Sequence, residues 1–184
     1  GALLQARRLY LEKTLTHLHP APRVLEVGFG LGVNFRVALE SALLRGVRLS
    51  YLAVEREPLP REVLAQILLP LPRAEEVFAA LLKAWPTSRF LGSWGELRLL
   101  FLDVREAVLP SCWATAVYLD PFSPRANPEA WSLPVLLKLR KSLKRGGGLQ
   151  AGPPGGGNRC APGSEGGEAG VDGGYRARSS SRLR

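Results

Sequence analysis

Arg23-Val24-Leu25-Glu26-Val27-Gly28-Phe29-Gly30-Leu31-Gly32 is the stretch on which the fold turns. Its first five residues are a short β-rich run. The run ends in three glycines at alternate positions. Apolar residues at helical spacing follow from Asn34 to Leu44, and Gly46 gives a helix-stop signal. Glycines let the chain turn tightly and let a ligand lie against bare main chain. The start of the next helix offers unpaired N–H groups. A dinucleotide fingerprint places its third glycine one position later, where those groups meet a pyrophosphate. Here the spacing suits an amino-acid carboxylate and a ribose instead. Glu26, two residues before the first glycine, points the same way, because a carboxylate there would hold a cationic amino group and NAD has none. The plain alternative is a tight strand-to-helix turn with no ligand.

Outward from this loop, strands and helices alternate. Residues 2–18 carry Leu4, Leu11, Leu15 and Leu18 at helical spacing, and Pro20 and Pro22 stop that helix. His17 and His19, near its end, read as surface or capping residues. Ser50–Glu55, Leu97–Leu102 and Thr115–Leu119 are further strands. Residues 61–69 and 74–85 read as helix interrupted by Pro70 and Pro72, and residues 134–144 as a helix closed by Gly146-Gly147. Continuous apolar strands alternating with helices predict an α/β fold with a parallel sheet. In such a sheet the ligand lies beyond the carboxyl ends of the strands. Three of the four strand ends carry a carboxylate, Glu55, Asp103 and Asp120, and the remaining one carries the glycine loop.

Each carboxylate has a chemical reading. Glu55 can accept both hydroxyls of a ribose. Asp103 can face an adenine amino group, or else cap a helix. Loop, ribose carboxylate and adenine carboxylate together describe a site for S-adenosylmethionine in a class I methyltransferase fold of Rossmann-like type. Glu26, Gly28, Phe29, Gly30, Gly32, Asn34, Glu55 and Asp103 are its expected cofactor-binding residues. Asp120-Pro121-Phe122-Ser123-Pro124 follows the fourth strand. Asp120 can orient an amine toward the methyl and take up its proton. Phe122 can face the developing cation. This pair is the expected catalytic set. The segment is similar to the Asp/Asn-Pro-Pro-aromatic motif of methyltransferases that act on amino nitrogens, although a Pro-rich turn would look the same. No Cys/His spacing suggests a metal site.

From Arg8 to Leu149 the chain resembles the methyltransferase domain of the MnmC family, including stand-alone forms without the oxidase domain. Three segments carry the resemblance: Glu26–Phe35, Ala53–Leu59 and the long, specific Tyr118–Trp131. Ala84-Trp85-Pro86 and Phe101-Leu102-Asp103 also fall where that family places them. The resemblance implies methylation of the aminomethyl group on the wobble uridine of tRNA, giving 5-methylaminomethyl-(2-thio)uridine. It implies a substrate mouth built from Pro121, Pro124, Arg125, Asn127 and Trp131, with a packing role open for Trp131. Pro121 and Ser123 replace the family's usual glycine and alanine, which would stiffen this loop. Two other readings stand beside this one: a class I methyltransferase of a different amine, and a degenerate, non-catalytic nucleotide-binding module.

Composition sets the bounds. The chain has 184 residues, enough for about one domain. Its 25 basic and 16 acidic residues give a net charge of +9, which suits a phosphate-bearing partner such as tRNA. Lys138, Arg140, Lys141, Lys144 and Arg145 are candidate phosphate contacts, or a solvated helix face. Arginine outnumbers lysine 20 to 5, a bias that a GC-rich genome also produces. No apolar run approaches the roughly 18 residues of a membrane helix, and no signal peptide pattern begins the chain. Cys112 and Cys160 cannot make a disulfide framework. The chain reads as reduced, cytoplasmic and without a membrane partner. It has no methionine and begins with glycine, as a fragment or processed start would.

The organisation changes near residue 145, and the folded part is expected to span 1–149. The last 39 residues hold 13 of the 20 glycines and show no hydrophobic period, so residues 150–184 read as a disordered tail. The family pattern breaks off at Gln150, as a frameshift near codons 146–150 would make it do. The C-terminal part of the sheet is accordingly expected to be incomplete.

Overall fold

The computed structural model describes residues 1–121 and 127–151. Helix α1 (Ala2–Gln5) continues into a wider, π-wound segment (Ala6–Glu12), and a 3-10 turn (Thr16–Leu18) follows. Then come β1 (Arg23–Val27), α2 (Val33–Arg45), β2 (Leu49–Val54), α3 (Arg61–Ala65) and α4 (Pro72–Leu82). The rest is β3 (Arg89–Gly92), β4 (Gly95–Leu100), β5 (Ala114–Leu119), a 3-10 turn (Pro128–Trp131), α5 (Leu133–Ser142) and β6 (Leu143–Ala151).

The six strands form one sheet in the order β3-β4-β2-β1-β5-β6. All pairs are parallel except the β3–β4 hairpin. The chain winds from β1 to β2 and β4 on one side, then crosses back to β5 and β6 on the other. A crevice therefore opens at the carboxyl ends of β1 and β5. The ladder runs one residue past each strand: Gly28 N–H donates to Val54 O, Glu55 N–H to Leu100 O, and Asp120 N–H to Val27 O, at 2.9, 2.9 and 3.0 Å. Backbone pairing thus fixes three of the expected site residues at one level.

The period of two along each strand divides the apolar residues between two cores. Val24, Tyr51, Ala53, Ala116 and Tyr118 face α2, α4 and the N-terminal segment. Leu25, Val27, Leu52, Val117 and Leu119 face α5. Both faces are covered, which is why these strands read as unbroken apolar runs.

Several expectations change. Residues 2–18 are not one helix, and of the four leucines only Leu11 is buried. The π-winding turns Ala6, Tyr10 and Leu11 inward, and Leu15, at φ 57°, ends the helical path. Pro72 starts α4 rather than breaking a helix, since a proline's missing N–H costs nothing in the first turn. The expected strand Leu97–Leu102 is β4, set two residues earlier, whereas β3, four residues long, is too short to show in the apolar pattern.

The largest change lies at the glycine cluster. Helix α5 ends at Ser142, and residues 143–151 pair with β5 through Leu119↔Ala151. The break expected near 145 and the boundary at 149 both fall inside β6. A Cβ on Gly148 would lie 2.9 Å from Thr14 Cα, so a glycine is what lets the N-terminal segment close on this strand. Gly148→Ala should lower the unfolding free energy by about 1–3 kcal/mol through overpacking. Urea unfolding of both proteins checks this; a neutral substitution would mean that this part of the strand does not pack.

Candidate functional site

Gly28 leaves β1 at φ +90°, and a Cβ there would lie 2.7 Å from the backbone oxygen of Asp120. Only glycine lets the exits of β1 and β5 pass this closely. The loop beyond it is clamped from below by Arg36 of α2, which is fully buried. The Arg36 guanidinium donates to Leu31 O at 2.9 Å, Ile67 O at 2.7 Å and Glu75 Oε1 at 2.9 Å, and lies 4.4 Å above the Phe78 ring. Burial lowers its pKa, and Glu75 opposes that shift. Phe29 is buried and stacks on Trp85 at 5.9 Å.

Behind the loop runs a chain of hydrogen bonds. The Asn34 amide donates one hydrogen to Glu26 Oε1 and the other to Asp120 Oδ2, each at 2.8 Å. Tyr51 OH donates to Glu26 Oε2 at 2.8 Å. Tyr10 OH donates to Asp120 Oδ1 at 2.7 Å. Burial pushes the Glu26 carboxyl well above its ordinary range, although Asn34 and Tyr51 pull it back. Burial also raises Asp120, against the pull of Tyr10 and Asn34. Burial raises both tyrosines too, so they keep their protons and act as donors.

At the mouth, Glu55 Oε2 accepts the Gly30 N–H at 3.0 Å and Oε1 accepts the Glu57 N–H at 2.9 Å. Arg105 grips both oxygens of Asp103, at 3.0 and 2.9 Å, and holds that carboxyl below its ordinary range. Arg56 reaches across to Glu129 at 3.0 Å. Lys138 is not a free phosphate contact. Its ammonium donates to the carbonyls of Val104, Arg105 and Ala107 at 3.0, 2.6 and 3.0 Å, which pins the loop that carries Asp103.

These groups surround a cleft of about 720 Å³, a size that suits a small-molecule site. Gly28, Phe29, Gly30, Asn34, Glu55, Asp103, Asp120, Pro121 and Asn127 line it. Glu26 and Gly32 are not at its wall. Glu26 is fully buried behind the loop, on Asn34 and Tyr51, so a direct grip on a ligand's amino group in the cleft is not its geometry here. Trp131 packs against the α5-side core instead of the cleft. Phe122, Pro124 and Arg125 lie outside the described residues. His19 Nδ1 accepts the Ala21 N–H at 3.0 Å, a local capping role. The residues that sequence reasoning missed are Tyr10, Tyr51 and Arg36. Each was legible only as an apolar-face residue or a surface charge.

Among the cleft-lining residues Glu55, Glu57, Asp103, Asp120 and Glu129 are acidic and Arg56 alone is cationic. A pyrophosphate would meet repulsion here, whereas a sulfonium with an ammonium would be attracted. Among the described residues no group of three or more His, Cys, Asp or Glu could hold a metal ion, and no helix is long and apolar enough to cross a membrane.

Comparison with known proteins agrees. Residues 72–151 match the profile of a family described as S-adenosyl-L-methionine-dependent methyltransferase. The chain is 39% identical over 138 residues to the tRNA 5-methylaminomethyl-2-thiouridine biosynthesis bifunctional protein MnmC of Aromatoleum aromaticum, covering 68% of this chain and 22% of that protein. It is 37% identical over 157 residues to the MnmC protein of Methylibium petroleiphilum, covering 76% and 23%. The chain thus spans about a fifth of the length of these curated relatives. The crystal structure of MNMC2 from Aquifex aeolicus superposes with a TM-score of 0.65 at 26% identity, covering 82% of this chain and 50% of that one. The fold is that of the class I methyltransferases, and the chain is similar to the part of MnmC and of MNMC2 that it covers. The donor set of the cleft fits that cofactor: bare main chain at Gly28 and Gly30, and carboxylates at the ends of β2 and β5 and just after β4.

The raised carboxyls give a signed expectation. A carboxyl raised by folding stabilises the protein below its unfolded pKa, and that stability is lost as pH rises through the folded value. Glu26→Gln keeps the acceptor for Asn34 and removes the titration. Wild type should therefore lose stability relative to the variant as pH rises from about 4 to 8. Urea midpoints across that range measure the difference; a constant offset would mean Glu26 is not raised.

Proposed function

We propose that this chain methylates the aminomethyl group of the wobble uridine in tRNA, giving 5-methylaminomethyl-(2-thio)uridine, with S-adenosylmethionine as methyl donor. The observation that carries the reading is Asp120, held by donors on both oxygens at the exit of β5 and facing the acidic cleft. The likeness to the MnmC proteins supports the choice of acceptor, and the net charge of +9 suits an RNA partner. A soluble, cytoplasmic setting follows from the same reading.

The cofactor, when bound, supplies an electrophilic methyl group on a sulfonium. Gly28 and Gly30 would give it bare main chain, Glu55 its ribose contact and Asp103 its adenine contact. Asp120 would accept an N–H of the incoming amine and aim its lone pair along the line to the methyl carbon. The cofactor would supply that methyl to the amine nitrogen, its sulfur keeping the electron pair of the broken carbon–sulfur bond. The positive charge then rests on nitrogen, where Asp120, and Phe122 by its ring face, would stabilise it. The new ammonium can lose its proton to Asp120 or to water. Pro121, Pro124, Arg125 and Asn127 are proposed to shape the entrance for the base, while Trp131 keeps the packing role. The 1–149 unit is proposed as the part that carries this chemistry, with residues 150–184 outside it.

The test is a methyl-transfer assay with tRNA bearing aminomethyluridine. The rate should rise with pH toward the amine's pKa, because only the neutral amine has a lone pair to give. Asp120→Ala should lower kcat by about 100-fold or more, with affinity for S-adenosylhomocysteine changed by less than about threefold. Transfer to other amines but not to this tRNA would assign the chain to a different acceptor. Cofactor binding without transfer to any amine would favour a non-catalytic module.

A further inference from the structure

Tyr10 lies outside the matched stretch of residues 72–151 and 110 positions from Asp120 in the chain. Its ring is 1% exposed and packs against Tyr118 at 5.2 Å, yet its hydroxyl reaches the wall of the cleft. That hydroxyl donates to Asp120 Oδ1 at 2.7 Å, with Leu119 O also within 3.3 Å. Asn34 takes the other oxygen of the same carboxylate. A carboxylate with a donor on each oxygen cannot rotate freely, and each oxygen keeps lone-pair capacity for a partner in the cleft.

We propose that Tyr10 is a positioning residue for methyl transfer: it holds the Asp120 carboxylate ionised and in the orientation that receives the acceptor amine. The proposal rests on the function read above. The titratable groups facing Asp120 are Tyr10 from the N-terminal segment, Glu26 on β1 and Tyr51 on β2. Asn34 of α2 is neutral and stands between Glu26 and Asp120. Burial works against ionisation of Asp120. The Tyr10 and Asn34 donors favour it. Tyr10 is the donor that comes from outside the sheet and its glycine loop, so the N-terminal segment is part of the site's electrostatics and not only a cover for the core.

The experiment is Tyr10→Phe in the full chain, read in two ways. In protein carrying carboxyl-¹³C aspartate, with Asp120 assigned by Asp120→Asn, the NMR titration midpoint of Asp120 should rise by about one pH unit. In the transfer assay, kcat should fall severalfold at the acid end of the pH profile and recover as pH is raised, with KM for S-adenosylmethionine changed by less than about threefold. An unchanged Asp120 midpoint overturns the proposal, since a purely structural tyrosine would lower only the unfolding midpoint. If Tyr10→Phe does not fold, 2,3-difluorotyrosine at position 10, a stronger donor, should move the midpoint down, and no movement is again fatal. A wild-type chain that transfers no methyl overturns the functional reading instead; the titration then still decides whether Tyr10 sets the state of Asp120.

Discussion

One side-chain amide ties this structure together. Asn34 gives one hydrogen to Glu26 on β1 and the other to Asp120 beyond β5. Its own backbone belongs to α2, the helix that the glycine loop feeds. Sheet centre, crossover helix and the proposed reacting carboxylate are therefore locked by one planar group with two donors. Two carboxylates this close and this buried would repel each other if both were charged and unpaired. The amide between them, with Tyr51 and Tyr10 at the outer ends, gives every carboxylate oxygen a donor. Such a chain has little tolerance for a missing member, because an orphaned polar group in a buried network costs more than the network gains from it.

Two cations follow the same logic. Arg36 and Lys138 look like surface charges by residue type. Each is committed to loop backbone carbonyls: Leu31 of the glycine loop and Ile67 after α3 for Arg36, and Val104, Arg105 and Ala107 for Lys138. Loop carbonyls beneath a ligand site have no ladder partner, and a cation with several donors satisfies more than one of them. The positive charge of the chain is thus not all available to a nucleic acid: part of it builds the site, while the cleft itself is acidic.

The core of the fold was legible in residues 23–46. A doubly covered strand must be apolar throughout, a tight crossing needs glycine at Gly28, and α2 needs the spacing it has. Glu26 could also be placed: in a strand buried on both faces, the alternation that sends Leu25 and Val27 to one core sends a carboxylate into the other. What it does there could not be read, because its partners Asn34 and Tyr51 are chosen by register and packing. The N-terminal leucines misled for a related reason. Leu4, Leu11, Leu15 and Leu18 fit a regular helix, but the segment winds wider and presents Tyr10. The glycines at 146–148 misled because composition alone cannot tell a loose tail from a strand whose neighbour, Thr14, leaves no room for a side chain.

The sequence by itself determined the α/β alternation, the glycine turn and the acidic strand ends, because these depend on local periodicity and on which residue types a turn or a strand end tolerates. Tertiary structure alone decided which groups share hydrogens. Tyr10 and Asp120 are 110 positions apart and meet at 2.7 Å only once β5 is laid beside β1 and the N-terminal segment closes over both. Ionisation, orientation and satisfaction of the buried carboxyls are properties of that closure. They depend on distance in space and on the exclusion of water, neither of which is written in the spacing of residues along the chain.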